Sequence, residues 1–167
     1  EYKIKEYYFD DDTFTVNPER VVKICDEIIR RKIDIPFDCL ARVDTVSPGM
    51  LKKMAEAGCR IIRYGVESAS PKILENIRKG IKIEQIKFAF KETKKAGIKT
   101  HATVMFGLPG ETRETIKETI KFVLELNPDY AQFPAAIPYP GTEFYEEAVK
   151  NGWLKSKNWA DFDASRP

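Results

Sequence analysis

The chain has 167 residues, of which 43% are hydrophobic and 32% are charged, and its formal net charge is +2. This size and composition allow one ordinary domain with its own core and exclude a disordered chain. Lysines and acidic residues are interspersed without a basic cluster, so no nucleic-acid partner is indicated, and no apolar run approaches the roughly 18 residues of a membrane span. No signal peptide opens the sequence, so we expect a cytoplasmic location.

Strand and helix signals alternate along the chain. A strand-like run ends at Phe9, and Asn17-Pro18 then starts a helix, because Asn is a good N-cap and Pro suits the first turn. Further strands are predicted over residues 37–43, 61–66, 98–106 and 130–136. The later helices are predicted to start near residues 47, 70, 84, 112 and 142 and to end near residues 58, 80, 97, 127 and 152. Five strands, each followed by a helix, predict right-handed βαβ units and a parallel sheet.

The predicted strands carry polar residues where an all-buried sheet would have apolar ones. The inward candidates are Arg42, Arg63, His101 and Gln132. This pattern favours a barrel with a polar lumen over a flat sheet covered on both faces. We therefore predict an α/β fold, namely a partial parallel (β/α) barrel with five of six units, over residues 1–152. Residues 153–167 are predicted to form a C-terminal extension in which Trp153 and Trp159 pack.

The three cysteines are Cys25, Cys39 and Cys59, and their spacings fit no compact metal-binding motif. Cys25 falls on the apolar face of a helix, and Cys39 falls on the inward face of a strand. We predict that they are small buried hydrophobic residues with reduced thiols and that the chain has no metal ligands.

Unusual residues cluster where each predicted strand ends, which is where parallel β/α folds bind ligands. The five clusters span residues 10–14, 42–44, 65–70, 105–112 and 136–142. Each cluster also has a purely structural alternative. The acidic run would be a solvated turn, and Arg42 would form an ion pair with Asp44. Glu67-Ser68 and residues 138–141 would only lead into the next helix, and Gly107–Gly110 would be an ordinary tight turn. Their joint position at one end of the strands favours a shared ligand site.

Two other classes of function stay open from the residues alone. In the first, Asp11, Glu67 and His101 bind a divalent metal in a lyase or hydrolase, although a lone histidine on a strand is more often a packed residue. In the second, the chain is a non-catalytic binding scaffold.

Four segments, at residues 9–14, 64–70, 106–112 and 138–142, together resemble the radical S-adenosylmethionine (radical SAM) superfamily. The similarity is strongest to its cobalamin-associated branch, which includes proteins like anaerobic magnesium-protoporphyrin monomethyl ester cyclase. The resemblance implies a six-unit partial barrel that binds S-adenosylmethionine at its mouth. The cofactor-binding residues that it implies are Asp11, Asp12, Arg42, Glu67, Ser68, Phe106, Gly107, Gly110, Glu111 and Pro138.

The resemblance also assigns roles to these residues. The acidic run would face the methionine amino group, Glu67 and Ser68 would lie near the ribose or the methionine carboxylate, and Arg42 would be a partner of that carboxylate. The turn from Phe106 to Glu111 and the segment from Pro138 would lie along the adenine.

The sequence departs from the family in one respect, because it lacks the CxxxCxxC loop that ligates a 4Fe-4S cluster. We expect that loop just before Glu1 in a longer parent protein, with a cobalamin-binding region further upstream. The parent is then expected to cleave S-adenosylmethionine reductively for radical chemistry, with cobalamin-dependent methyl transfer or cyclisation of an unidentified small molecule. The chain alone is predicted to hold no catalytic residue, to be inactive, and to form a homodimer through the exposed edge of its first strand.

Overall fold

The computed structural model describes residues 3–154 together with Asn158 and Phe162. Five strands alternate with helices. The strands are β1 (Tyr7–Phe9), β2 (Phe37–Ala41), β3 (Cys59–Glu67), β4 (Lys99–Val104) and β5 (Tyr130–Gln132). The helices are α1 (Pro18–Arg30), α2 (Pro48–Glu56), α3 (Pro71–Asn76), α4 (Ile83–Lys95), α5 (Arg113–Leu126) and α6 (Glu143–Lys150), and a short 3-10 helix spans Phe14–Val16.

The helix starts follow the capping signals in the sequence. The side chains of Asn17, Ser47, Thr112 and Thr142 each accept a hydrogen bond from a backbone N–H of the first turn, at 3.0 to 3.4 Å. These bonds satisfy donors that have no partner inside the helix. Ser70 precedes α3 without such a bond, although Pro71 still occupies the first turn.

The fifth strand is shorter than the sequence pattern predicts, ending at Gln132 rather than at residue 136. Pro134 interrupts it because proline has no N–H to donate to the neighbouring strand. Pairing resumes one step later, where the Phe106 N–H donates to the Pro134 carbonyl at 3.1 Å and the Ala136 N–H donates to the Phe106 carbonyl at 2.7 Å.

All strands are parallel and lie in the order β1-β2-β3-β4-β5. The alternate residues Phe37, Cys39, Ile62, Tyr64 and Ala102 are buried under the helices. The opposite face carries Asp38, Arg63, His101 and Gln132, in line with a polar lumen. One sheet with helices on one side and polar residues on the other confirms the α/β, partial-barrel prediction.

All three cysteines are free thiols and buried. Cys39 lies on the helix-covered face of β2 with the core, not on the lumen side. Burial raises the pKa of the Cys25 thiol to about 11 and raises the pKa of the Tyr64 hydroxyl well above its usual value, so these groups stay protonated inside the core.

The predicted C-terminal extension falls mostly outside the described residues, and so does Trp159. Trp153 is described and is exposed. Within the described residues, no helix combines the length and apolar character that crossing a membrane requires.

Candidate functional site

A cavity of about 260 Å³ opens at the carboxyl ends of β2, β3 and β4. Its polar lining comes from three connections and from the strands β3 and β4, and the residues that contribute are Asp12, Thr13, Arg42, Glu67, Lys79 and Thr103. The structure therefore brings three of the predicted site residues, Asp12, Arg42 and Glu67, around one opening.

The end of β3 has a backbone shape that turns Glu67 into this cavity. The register against β4 shifts between Gly65 and Glu67, and Glu67 has a φ of 62°, in the left-handed region. That conformation costs a residue other than glycine about 1–3 kcal/mol, so the surrounding contacts must hold it. One such contact is the Met105 N–H, which donates to the Glu67 carbonyl at 3.0 Å.

The carboxylate of Glu67 is paired on one side only. Its Oε1 atom accepts a hydrogen bond from Lys79 Nζ at 2.7 Å, and 12% of the Glu67 side chain is exposed. Its Oε2 atom is buried and has no hydrogen-bond partner among the described residues. A buried carboxylate oxygen without a donor is unfavourable, so this atom is suited to a hydroxyl or ammonium group of a ligand.

Gly65 makes room for this ion pair. A Cβ atom at Gly65 would lie 2.5 Å from Glu67 Oε1 and 2.8 Å from Lys79 Nζ. These distances are too short for a Cβ atom, so any other residue at position 65 would displace the ends of the Glu67 and Lys79 side chains from their present positions.

Lys79 is a site residue that the sequence analysis did not identify. It lies in the connection between α3 and α4, flanked by Arg78 with a φ of 52° and Gly80 with a φ of 68°. The sequence signal was a glycine that ends a helix, which predicts a turn but not the direction of the preceding lysine.

Arg42 is engaged by protein groups. Its guanidinium donates two hydrogen bonds to Asp44, at 2.9 and 2.8 Å, and one from Nη2 to the Lys79 carbonyl at 3.1 Å. The hydrogen bond from Arg42 holds the pKa of Asp44 below its usual value. Arg42 therefore forms the ion pair with Asp44 that was its structural alternative. It also binds the backbone of the loop that carries Lys79.

Two predicted residues point elsewhere. Asp11 forms an ion pair with Arg20 at 2.7 Å and does not line the cavity. Ser68 is fully buried, and its hydroxyl lies 3.2 Å from that of Thr119 on α5. Successive residues of an extended chain point to opposite faces, so Ser68, the residue after Glu67, points to the helix-covered side.

The glycine turn after β4 is held by two side-chain hydrogen bonds and does not line the first cavity. Glu111 accepts a hydrogen bond from the Gly107 N–H, and Asn76 Nδ2 donates to the Pro109 carbonyl at 2.9 Å. Gly107 and Gly110 have φ values of 83° and 79°, which favour glycine.

The remaining predicted residues lie along the same rim. Phe106 stacks on Phe133 with ring centroids 5.6 Å apart, and Pro138 is half-buried. A second cavity of about 400 Å³ lies next to this turn, and its apolar lining includes Met105, Leu108 and Ile137.

The metal-dependent alternative is wrong for these residues. Asp11, Glu67 and His101 contact three different cations, namely Arg20, Lys79 and Arg63. In residues 3–154, 158 and 162, no group of three or more histidine, cysteine, aspartate or glutamate residues could hold a metal ion. The buried cysteines lie in the core, away from the cavity, and do not fit an iron–sulfur cluster at the mouth.

Comparisons with known proteins identify the family of this chain. The family model described as the Radical SAM superfamily matches residues 1–123. An uncharacterized methyltransferase of Pyrococcus horikoshii is 44% identical over all of this chain, which covers 36% of that protein. The anaerobic magnesium-protoporphyrin IX monomethyl ester cyclase of Rubrivivax gelatinosus is 30% identical over 82% of this chain, which covers 25% of that protein. The chain thus spans about a third of the first relative and a quarter of the second.

Among solved structures, the radical S-adenosylmethionine methyltransferase TsrM of Kitasatospora setae, with cobalamin and a 4Fe-4S cluster bound, has a similar fold. Its TM-score is 0.77 at 21% identity, covering 88% of this chain and 29% of TsrM. The radical SAM enzyme HemN of Escherichia coli gives a TM-score of 0.75 at 19% identity, covering 92% of this chain and 36% of HemN. At these identities the likeness shows a shared fold.

Proposed function

The chain belongs to the radical SAM superfamily, and from that membership we propose that it forms the S-adenosylmethionine-binding wall of the barrel in a longer enzyme. Enzymes of this family use S-adenosylmethionine and a 4Fe-4S cluster, which supply the radical chemistry. This chain's contribution is to bind and orient the S-adenosylmethionine.

The observation that carries the proposal is the half-paired carboxylate of Glu67. Glu67 lines the strand-end cavity, and its Oε2 atom is buried without a partner. Its backbone is strained, and its Oε1 atom is bonded to Lys79 above Gly65. Strain at one residue, maintained by its neighbours, is typical of a functional site. S-adenosylmethionine carries both kinds of donor that would complete this carboxylate, an ammonium group and ribose hydroxyls.

The charges around the cavity suit the methionine end of this ligand. Lys79 is a cation within the lining and would attract the methionine carboxylate, while Asp12 and Glu67 would attract the ammonium group or the ribose. Arg42 would act indirectly, by holding the Lys79 backbone. The adenine contacts assigned to Phe106, Gly107, Gly110, Glu111 and Pro138 stay a prediction, which the hydrogen-bonded turn and the apolar cavity beside it support.

We place the iron–sulfur cluster outside this chain. The cysteines of the chain are buried in its core and do not fit a cluster at the mouth, so the ligands would come from another part of the parent protein. The chain alone would then be inactive. Methyl transfer is our leading reaction for the parent, because a relative that is 44% identical is named a methyltransferase. The cobalamin of TsrM supports cobalamin as a further cofactor of the parent, and cyclisation is the second candidate reaction.

Calorimetric titration of the 167-residue chain with S-adenosylmethionine tests the proposal. Glu67→Gln keeps the size of the side chain but removes its charge, and we expect about tenfold weaker binding, as the loss of one charge-assisted hydrogen bond predicts. Lys79→Met should weaken binding by a similar factor.

The matched controls lie on α3, beside the site. Glu75→Gln and Lys72→Met change exposed residues that do not line the cavity, and they should leave the affinity unchanged. Equal affinities in the site variants and the controls would remove Glu67 and Lys79 from the ligand site, and failure of the unchanged chain to bind would refute the proposal itself.

We also propose that the chain associates with itself through β1. This strand is at the edge of the sheet, and Tyr8 within it and Ile4 just before it are exposed. Unpaired strand edges favour pairing with a second chain. Light scattering at increasing concentration should show a rising average mass, whereas a constant monomer mass would contradict this proposal.

A further inference from the structure

The glycine turn after β4 forms one wall of the second cavity. Leu108 and Pro109 of this turn line the cavity, and so do Asn76 and Ile77 at the end of α3. The space between the helix end and the turn is therefore part of this cavity of about 400 Å³. A contact that holds the turn against α3 also sets the width of the cavity.

The turn has the geometry of a type II turn. The Glu111 N–H donates to the Leu108 carbonyl at 3.0 Å, which places Pro109 and Gly110 at the two central positions. A type II turn favours proline at the first central position and requires a φ of about +80° at the second. Gly110 has a φ of 79°. Turning over the peptide between Pro109 and Gly110 would convert this form into a type I turn.

Asn76 holds this central peptide in its present orientation. Its Nδ2 atom donates to the Pro109 carbonyl at 2.9 Å. In the type I form the same carbonyl would point away from α3, so that form cannot keep the hydrogen bond. The C=O and N–H of a trans peptide point in opposite directions, so the Gly110 N–H is directed away from Asn76.

The turn also approaches Asn76 closely. A Cβ atom at Gly110 would lie 2.5 Å from Nδ2 and 3.8 Å from Cγ of Asn76. The hydrogen bond and the close approach therefore belong to one contact, in which a residue without a side chain lies against the end of α3. Glu111 acts differently, because it accepts a hydrogen bond from the Gly107 N–H within the turn and does not tie the turn to α3.

We propose that Asn76 is a positioning residue of the ligand site. It keeps the turn in its type II form against α3, and the second cavity then has the width and the peptide orientation that the adenosine end of S-adenosylmethionine needs. The inference rests on the proposed function, because it takes that end of the ligand as the occupant of the second cavity. Binding of the methionine end in the first cavity does not depend on Asn76.

Glycine amides report on both parts of the site. The chain has nine glycines, so isotope-labelled glycine gives a simple amide NMR spectrum. Gly65 lines the first cavity, and Gly107 and Gly110 lie in the turn. Titration of the unchanged chain with S-adenosylmethionine should shift these three amide resonances, with saturation.

Asn76→Asp keeps the size of the side chain and removes the donor. We expect about tenfold weaker binding of S-adenosylmethionine and a displaced Gly110 amide resonance in the free chain. At saturation, the Gly65 amide should reach the same position as in the unchanged chain, which a general disturbance of the fold would not allow. Asn76→Ala removes the donor without adding a charge and should weaken binding by a similar factor.

The matched control is Asn151→Asp. Asn151 Nδ2 also donates to a backbone carbonyl at 2.9 Å, that of Glu147, and Asn151 lines neither cavity. This variant loses the same kind of hydrogen bond and gains the same charge, but its affinity should equal that of the unchanged chain.

The outcomes separate this inference from the proposed function. If the unchanged chain binds S-adenosylmethionine and Asn76→Asp binds it equally well, the inference fails and the proposed function stands. An unmoved Gly110 amide in free Asn76→Asp, or a Gly65 amide displaced at saturation, has the same consequence. An unchanged chain that does not bind S-adenosylmethionine refutes the proposed function, and this inference with it.

Discussion

Gly65, Glu67 and Lys79 depend on one another at the mouth of the barrel. Glu67 adopts a left-handed backbone conformation, and its carboxylate returns over Gly65 to meet Lys79. The free energy that the strained backbone costs must be offset by the contacts that the side chain makes. The three residues should therefore respond to substitution as a unit.

Gly65→Ala tests this dependence. The new Cβ atom would lie within 3 Å of both charged groups, so the ends of the Glu67 and Lys79 side chains must shift. We expect about tenfold weaker S-adenosylmethionine binding and a loss of no more than about 1 kcal/mol in the free energy of unfolding, because the shifted groups end flexible side chains.

The matched control is Gly49→Ala, because a Cβ atom at Gly49 would meet nothing within 4 Å. Because Gly49 is helical in α2, this variant should gain up to about 1 kcal/mol in the free energy of unfolding, without a change in its affinity for S-adenosylmethionine. If both alanine variants bind alike, the close approach over Gly65 has no role in the site.

His101 provides a prediction about pH. Its folded-state pKa is lowered by burial and, to a smaller degree, by Arg63, and its surroundings also include Asp38, Lys99 and Tyr130. Between that pKa and the unfolded value of about 6.5, the unfolded chain binds more protons. The free energy of unfolding should therefore fall as the pH drops through about 6.5.

Denaturant unfolding at a series of pH values measures this dependence. The variant His101→Gln cannot titrate, so its stability should fall less than that of the unchanged chain between about pH 7.5 and pH 5.5. Parallel profiles for the two proteins would show that His101 does not resist protonation in the folded state.

At the scale of elements, the connection from β3 to α3 is fastened to α5 by one buried residue. The Thr119 hydroxyl accepts a hydrogen bond from the Ala69 N–H at 3.0 Å and lies 3.2 Å from the Ser68 hydroxyl. These contacts hold the loop that follows Glu67. Ser68 therefore contributes to the site by supporting this loop rather than by facing a ligand.

Thr119→Val keeps the volume of the side chain and removes the hydroxyl. The Ala69 N–H would then be buried without an acceptor, and we expect a loss of about 1–3 kcal/mol in urea unfolding. The neighbouring control Ile120→Val changes an exposed residue and should cost less than about 0.5 kcal/mol. A loss no larger than that of the control would show that this network does not stabilise the loop.

The sequence predicts elements better than directions of side chains. Caps and alternating apolar residues are local signals, so the order of strands and helices follows from them. The early end of β5 arises from Pro134 within an otherwise extended run. Local signals do not predict that Lys79 lines the cavity, because its contact with Glu67 joins a loop to a strand 12 residues away in sequence. For Ser68, simple alternation from Glu67 already indicated the opposite face.

At the scale of the whole molecule, the sheet divides the chain into two chemical environments. The helix-covered side holds the apolar core and all three cysteines, while the lumen side holds Asp38, Arg63 and His101. Thiols that bind iron must be deprotonated and accessible. The cysteines of this chain are on the wrong side of the sheet for that chemistry.

Anaerobic reconstitution with iron and sulfide tests this division. Burial raises the pKa of the Cys25 thiol to about 11, and that of Cys59 is also raised, chiefly by its contact with Cys39. We therefore expect the 167-residue chain to retain no more iron than a variant with all three cysteines replaced by alanine. A second control, thiol labelling before and after denaturation, should show unreactive cysteines only in the folded chain. Stoichiometric iron that disappears in the alanine variant would mean that these cysteines ligate a cluster, and the assignment of the cluster to another part of the parent protein would then fail.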